Sequence, residues 1–171
     1  MIFRSHPPRG VVEGDILDVS AGVILHQVNC LGKTGGLAGA LREAFPDHFV
    51  CYDKAISASG TNWPRLLGRA KVGYVADLAV AHCFGQLGYG RDKVYTDMAA
   101  VADALAEARA IVGEIPALAG SPVYAPYQMG CGRAGGDWER YLDLLYKYFP
   151  RVTIIRNSRY AVPERTHLVS G

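Results

Sequence analysis

Three short segments of this 171-residue chain, Gly32–Gly39, Gly85–Gly90 and Gly130–Gly136, hold 11 of its 20 glycines. Glycine makes up about 12% of the residues, against roughly 7% in an average protein. Bunched between apolar runs, it marks loops that need positive φ or close approach of backbone to a ligand. The first segment follows Val28-Asn29-Cys30 and runs into a helical pattern at Leu37; the third, from Gly130 through Cys131, Gly132, Arg133, Ala134 and Gly135 to Gly136, runs into another opened by Asp137. A strand, a glycine loop and a helix N-terminus together present backbone N–H groups and the positive end of a dipole, which suits phosphate. Two such loops suggest a ligand with more than one phosphate; a tight crossover is the plainer reading of either loop taken singly. Ionisable side chains lie alongside. Lys33 and Arg133 sit inside the loops, either as phosphate-binding cations or as ordinary exposed ones. His26, upstream of the first loop, carries an imidazole whose ordinary pKa of about 6.5 suits activation of water or protonation of a leaving oxygen. Its alternative is a satisfied core histidine. Asp137 is a base beside a phosphate loop or, more economically, a helix N-cap.

The elements that position these residues follow from hydrophobic pattern. Apolar, β-branched runs at Val11-Val12, Val23–Val28, Lys71–Val75, Leu78–Phe84, Val123–Tyr127 and Val152–Ile155 are bounded by Gly, Pro, Asn or Asp and read as strands. Helical spacing appears at Leu37, Leu41, Ala44 and Phe45, again around Phe49 to Ile56, and from Thr96 as N-cap to Gly113 as stop. A last helix opens at Asp137 and carries Trp138, Tyr141, Leu142, Leu145 and Phe149. Strands and helices interleave, and several strands are apolar on both parities, as in a sheet covered on both faces. The expected fold is α/β, a three-layer α/β/α sandwich. Ligands in such folds collect at the carboxyl ends of strands, where all three glycine loops lie.

Composition narrows the function classes. The chain forms one domain, 1–171, with a core over about 10–157 and a polar extension over 158–171. A net charge of +2 from 18 basic and 16 acidic residues argues against a strong field for nucleic acid or membrane. No window approaches the roughly 18 apolar residues of a membrane span, and the Met1-Ile-Phe-Arg start lacks the apolar stretch of a signal peptide, so a cytoplasmic protein is expected. Cys30, Cys51, Cys83 and Cys131 form no C-x-x-C pair, so reduced, mostly buried cysteines are expected, with no metal and no cofactor. Gly32-Lys33-Thr34 resembles the end of a P-loop, but Gln27 stands where that motif needs its first glycine. A small P-loop kinase is therefore the third reading.

Several stretches, in order, resemble a macro domain, the family that binds ADP-ribose. They are Gly14-Asp15-Ile16-Leu17, then His26-Gln27-Val28-Asn29-Cys30 leading into Gly35-Gly36-Leu37-Ala38-Gly39, then Gly130 to Trp138. Phe84-Gly85-Gln86, Tyr89-Gly90-Arg91 and Tyr95-Thr96-Asp97 resemble the phage-type and terminal-ADP-ribose-glycohydrolase-like branches. The resemblance spans roughly 12–156 and implies a mixed sheet. It also implies that Asp15 accepts from the adenine amino group, with the Ile16 N–H beside it, unless Asp15 is only a turn or N-cap residue. Asn29 would bond the distal ribose. Gly35, Gly36 and Leu37 would pack on that ribose and the diphosphate, and Gly130, Cys131, Gly132, Arg133, Ala134, Gly135 and Gly136 would wrap the diphosphate from the other side.

Catalysis is less direct. Gln86 and Ala134 occupy the neighbourhoods of the lysine and aspartate that act in the glycohydrolase-like branch, so that mechanism is in doubt, and Lys93 substitutes only if its loop folds back. His26 matches a histidine of the ADP-ribose-1″-phosphate phosphatase branch, yet strand alternation points His26 and Asn29 to opposite faces. Tyr89, in the second glycine segment, either closes over a bound sugar or is an ordinary surface tyrosine. The catalytic candidates are His26, Asn29, Gln86 and Asp137. The leading expectation is a hydrolase of ADP-ribose-1″-phosphate or of ADP-ribosylated protein or nucleic acid; a reader module that binds ADP-ribose without turnover is the second.

Overall fold

The computed structural model describes residues 11–157. Its strands are β1 (Val11–Glu13), β2 (Gly22–Asn29), β3 (Ala70–Val75), β4 (Leu78–Gln86), β5 (Val123–Pro126) and β6 (Thr153–Arg156). The helices are α1 (Gly36–Ala44), α2 (Val50–Ser59), α3 (Met98–Gly113) and α4 (Trp138–Tyr148). The strands form one sheet in the order β1-β6-β5-β2-β4-β3. Every neighbouring pair is parallel except β3 with β4, so the sheet is mixed. The polar extension expected over 158–171 lies outside the described residues.

The double-sided apolar pattern of β2 explains the three layers. Val23 and Leu25 pack with Leu105 of α3 and Leu142 and Leu145 of α4. Ile24 and Val28 face the other way, against Leu41 of α1 and Phe49 and Tyr52. Each such buried side chain contributes about 1.5–3 kcal/mol relative to exposure. Because β1, β2, β4, β5 and β6 run parallel, their C-terminal ends share one sheet edge, and the loops after β1, β2, β4 and β5 gather there.

Two expectations about caps are corrected. Thr96 does not cap α3; Asp97 does, accepting from Ala100 N at 3.1 Å. The Thr96 hydroxyl is drawn instead to the Gly130 carbonyl. Gly113 is not the stop but the last helical residue, and Glu114 forms the cap. Asp137 caps α4 as the sequence suggested, accepting from Glu139 N and Arg140 N.

Three histidines tie the α1–α2 side of the sheet together. His26 and His82 are paired across β2 and β4, with His26 Nε2 2.7 Å from His82 Nδ1. His82 Nε2 lies 2.8 Å from the His48 carbonyl and His48 Nε2 lies 3.0 Å from the Leu78 carbonyl. Carbonyls only accept, so His82 Nε2 carries a proton; in a neutral ring its Nδ1 then accepts from His26 Nε2. Burial favours that neutral state for both rings. Burial, then the facing ring, holds the His26 pKa well below its ordinary value; burial foremost lowers that of His82 to about 4. The short turn that holds His48, Pro46–Phe49, lies flat on β3 because Gly73 has no side chain: a Cβ there would collide with the His48 carbonyl.

Two outcomes follow from this packing. Unfolding lets His26 and His82 take up protons that the fold excludes, so their stabilisation is complete above pH ~6.5 and is lost as pH falls towards the His82 value of about 4. Urea midpoints are expected to be flat above pH ~7 and to fall from pH ~6.5 to ~5, before ordinary carboxylates titrate; His82 contributes on the order of 3 kcal/mol across the full descent. A flat profile down to pH ~5 would contradict the neutral pair. Gly73→Ala is expected to cost about 1–3 kcal/mol by the same titration, and a wild-type midpoint would show that the turn is not seated on β3.

Candidate ligand-binding site

The glycine loops divide into two physical kinds. At Gly35 and Gly36 an added Cβ would meet nothing within 4 Å, so backbone lies open to an approaching molecule. At Gly85 and Gly130 an added Cβ would come within 2.6 Å of Gln27 Oε1, and Gly130 also has φ +70°. Those two glycines let the backbone of β4 and of the third loop close over the partly buried Gln27 side chain. Gly136 behaves similarly, with the Gly130 carbonyl 2.7 Å from where its Cβ would be.

The two helix N-termini at this edge also differ. The carboxylate of Asp137 already bonds two first-turn N–H groups of α4. Gly35, the residue before α1, offers no side chain and makes no such bond. The nine-residue α1 therefore keeps its dipole's positive end facing the open glycines. The helix begins at Gly36, three residues beyond Lys33, so Lys33 does not open the helix as a P-loop lysine would. In the third loop, Cys131 N bonds Gln128 O, Gly135 N bonds Gly132 O and Gly136 N bonds Gly130 O, at 2.8, 3.2 and 3.0 Å. These three donors hold the loop's own shape.

Beside α1 lies the loop after β1. Asp15 Oδ1 accepts from Leu17 N at 2.9 Å and caps the short turn Ile16–Asp18; that turn packs against α1 and β5. Ile16 is buried there, while Asp15 is half-buried. Asn29, at the end of β2, shapes the following loop. Its Oδ1 accepts from Leu31 N and Lys33 N, and its Nδ2 donates to the Lys33 carbonyl at 2.8 Å. Cys30 N then bonds the Leu87 carbonyl at 3.1 Å and ties the first loop to the second.

Beneath the second and third loops runs a chain of side-chain hydrogen bonds that the sequence reading did not foresee. Tyr141 of α4 donates to Gln27 Oε1 at 2.7 Å, and Gln27 Nε2 donates to Gln86 Oε1 and Thr96 Oγ1, both at 2.9 Å. Thr96 Oγ1 donates to the Gly130 carbonyl at 2.5 Å, and Gln86 Nε2 to the Gly88 carbonyl at 2.8 Å. Burial keeps the Tyr141 phenol protonated far above its ordinary range. The available signal was Gln27 itself: an amide within a strand that is otherwise buried must find partners.

Of the catalytic candidates, the strand register brings only Asn29 and Gln86 side by side. His26 is 1% exposed and lies in the histidine chain between the sheet and Phe49; a side chain so enclosed exchanges no proton with a ligand on the loop edge, which corrects the acid–base expectation for it. Asn29 is 7% exposed with both ends of its amide engaged. Gln86 is fixed by Gln27 and Gly88. Asp137 is exposed while capping α4. In the third loop, burial and then the Asp137 charge push the Cys131 thiol up to about 12, which disfavours the thiolate. Ala134 is buried, its carbonyl accepting from Tyr95 N and Thr96 N. Arg133, Lys93 and Tyr89 are exposed on the rim. Among the described residues no three His, Cys, Asp or Glu side chains are grouped to hold a metal ion, and no helix is long and apolar enough to cross a membrane.

No protein-family model matches the chain, and no curated protein matches it. Solved structures do. A protein of unknown function from Bacteroides thetaiotaomicron is 23% identical, with TM-score 0.65 over 86% of this chain and 95% of that one. The macrodomain of Mycobacterium tuberculosis DarG is 21% identical, with TM-score 0.63 over 86% of this chain and 98% of that one. Thermosipho africanus DarTG, solved in complex with ADP-ribose, is 19% identical, with TM-score 0.61 over 88% of this chain and 42% of that one. With its mixed six-stranded sheet, its helices on both faces and this agreement over most of its length, the chain has the macrodomain fold.

Proposed function

We propose that this chain binds ADP-ribose along the C-terminal edge of its parallel strands. The observation that carries the reading is the start of α1: an N-terminus without a side-chain cap, fronted by two glycines with open space beside them. A diphosphate needs unobstructed backbone donors and a positive dipole end, and this helix supplies both. In this reading Asp15 and the Ile16 N–H receive the adenine, and Gly35, Gly36 and Leu37 line the distal ribose and diphosphate. Gly130, Cys131, Gly132, Arg133, Ala134, Gly135 and Gly136 cover the diphosphate from the opposite side. Asn29 holds the loop that carries the ribose contacts. The ADP-ribose held by the Thermosipho neighbour supports the choice of ligand.

Hydrolysis of an ADP-ribose derivative, either ADP-ribose-1″-phosphate or ADP-ribosylated protein or nucleic acid, is the second reading. It rests on Asp137, the one exposed side chain among His26, Asn29, Gln86 and Asp137. A carboxylate there would take a proton from attacking water while the loops fix the ribose. The engaged state of the other three favours a module that holds ADP-ribose without cutting it, and binding is the function that the geometry supports best.

Gly35 has φ −118° and ψ 176°, a conformation open to any residue. Gly35→Val is expected to cost no more than about 1 kcal/mol of stability, valine being a poorer residue than glycine before a helix, while weakening ADP-ribose binding at least tenfold by calorimetry. Wild-type affinity in this variant would place the ligand elsewhere. For the hydrolytic reading, Asp137→Asn keeps a competent N-cap and is expected to cut release of phosphate or ADP-ribose roughly 100-fold. No release by the wild-type protein from any of these substrates would leave the reader.

A further inference from the structure

The side-chain chain under the second and third loops has one direction. The Gly130 and Gly88 carbonyls can only accept, so Thr96 donates to the first and Gln86 Nε2 to the second. Thr96 Oγ1 and Gln86 Oε1 must then accept from Gln27 Nε2, which turns Gln27 Oε1 towards the Tyr141 hydroxyl. One amide thus joins the helix below to both loops above, and each bond polarises the next. The two loops are also stitched to each other, since Tyr95 N and Thr96 N both bond the Ala134 carbonyl. Gly85 and Gly130 flank the amide oxygen at a distance no Cβ would allow.

From this we infer that Gln27 is a positioning residue: its carboxamide sets the spacing between the loop after β4 and the loop after β5, and so where the third glycine loop sits over the ligand. The part concerning the ligand rests on the ADP-ribose reading; the coupling of the loops does not. Gln27 touches no ligand in this account, acting only through Thr96, Gln86 and the Gly130 backbone.

The test is amide hydrogen exchange by mass spectrometry on the ligand-free protein, with ADP-ribose affinity measured in parallel. Gln27→Met keeps side-chain length and removes the amide. Peptides over 87–97 and 130–137 are expected to exchange at least tenfold faster, and the ADP-ribose Kd to rise at least tenfold. Ile154→Val, a truncation in the β6 core, is the stability control and should leave both peptides at wild-type rates. Should Gln27→Met not fold, Tyr141→Phe removes only the hydroxyl that anchors the amide and should accelerate the same two peptides. Unchanged exchange in folded Gln27→Met overturns the inference, and so does equal acceleration in Ile154→Val. Faster exchange with an unaltered Kd overturns the link to the ligand. Faster exchange in a protein whose wild type does not bind ADP-ribose supports the loop coupling and rejects the ligand reading instead.

Discussion

The parallel pairing of β2 with β4 is the constraint on which the rest depends. From Gly22 opposite Leu78 to Val28 opposite Phe84 the register is regular; it then shifts, so that Asn29 lies opposite Gln86 and Gly85 is left over. Since side chains alternate across a strand, this one register sets what each face receives. On one face it brings His26 against His82, which commits both rings to the neutral state and to the turn before α2. On the other it brings Gln27 beneath Gly85 and within reach of Gln86. The irregularity where the strands end turns both chains into loops at the sheet edge, a frequent place for such bulges.

Glycine serves that edge in two opposed ways. Gly35 and Gly36 leave backbone uncovered where α1 begins, whereas Gly85, Gly130 and Gly136 allow backbone to pack closely against Gln27, Tyr141 or a neighbouring loop. The two uses are complementary, because an open loop binds well only beside a wall that does not move. The division also separates the two helix N-termini, one left uncapped and one satisfied by Asp137. A molecule with two phosphates would meet the dipole of α1 and the already-formed surface of the third loop, rather than two equivalent cradles.

Much of this was legible in the residues, and the failures have identifiable causes. All six strands were visible as apolar runs, most plainly β2 and β4, because a strand buried on both faces leaves an unbroken apolar signature. Asp137 as a cap was readable because its partners are two and three residues away. Thr96 looks like a cap from its neighbours alone, but its hydroxyl goes to Gly130, 34 positions distant, and Asp97 next to it caps α3 instead. His26 was weighed as an acid or base because imidazole chemistry is local, while its partner His82 is 56 residues away and known only once the register is known. The glycine excess gathers at one edge of the sheet; which glycines stay open and which face Gln27 depends on contacts between β2, β4 and α4 that no spacing in the chain encodes.

Assignment of the backbone amides by nuclear magnetic resonance, followed by titration with ADP-ribose, tests the central claim most directly, since it reports every N–H at once. The account predicts saturable shifts for Gly35 to Ala38 at the start of α1, for Asp15 to Leu17 beside it and for the third glycine loop, with the amides of the opposite sheet edge, around Ala76-Asp77 and Gly120-Ser121, unmoved. Saturable shifts at that opposite edge, or none at the start of α1, would contradict it.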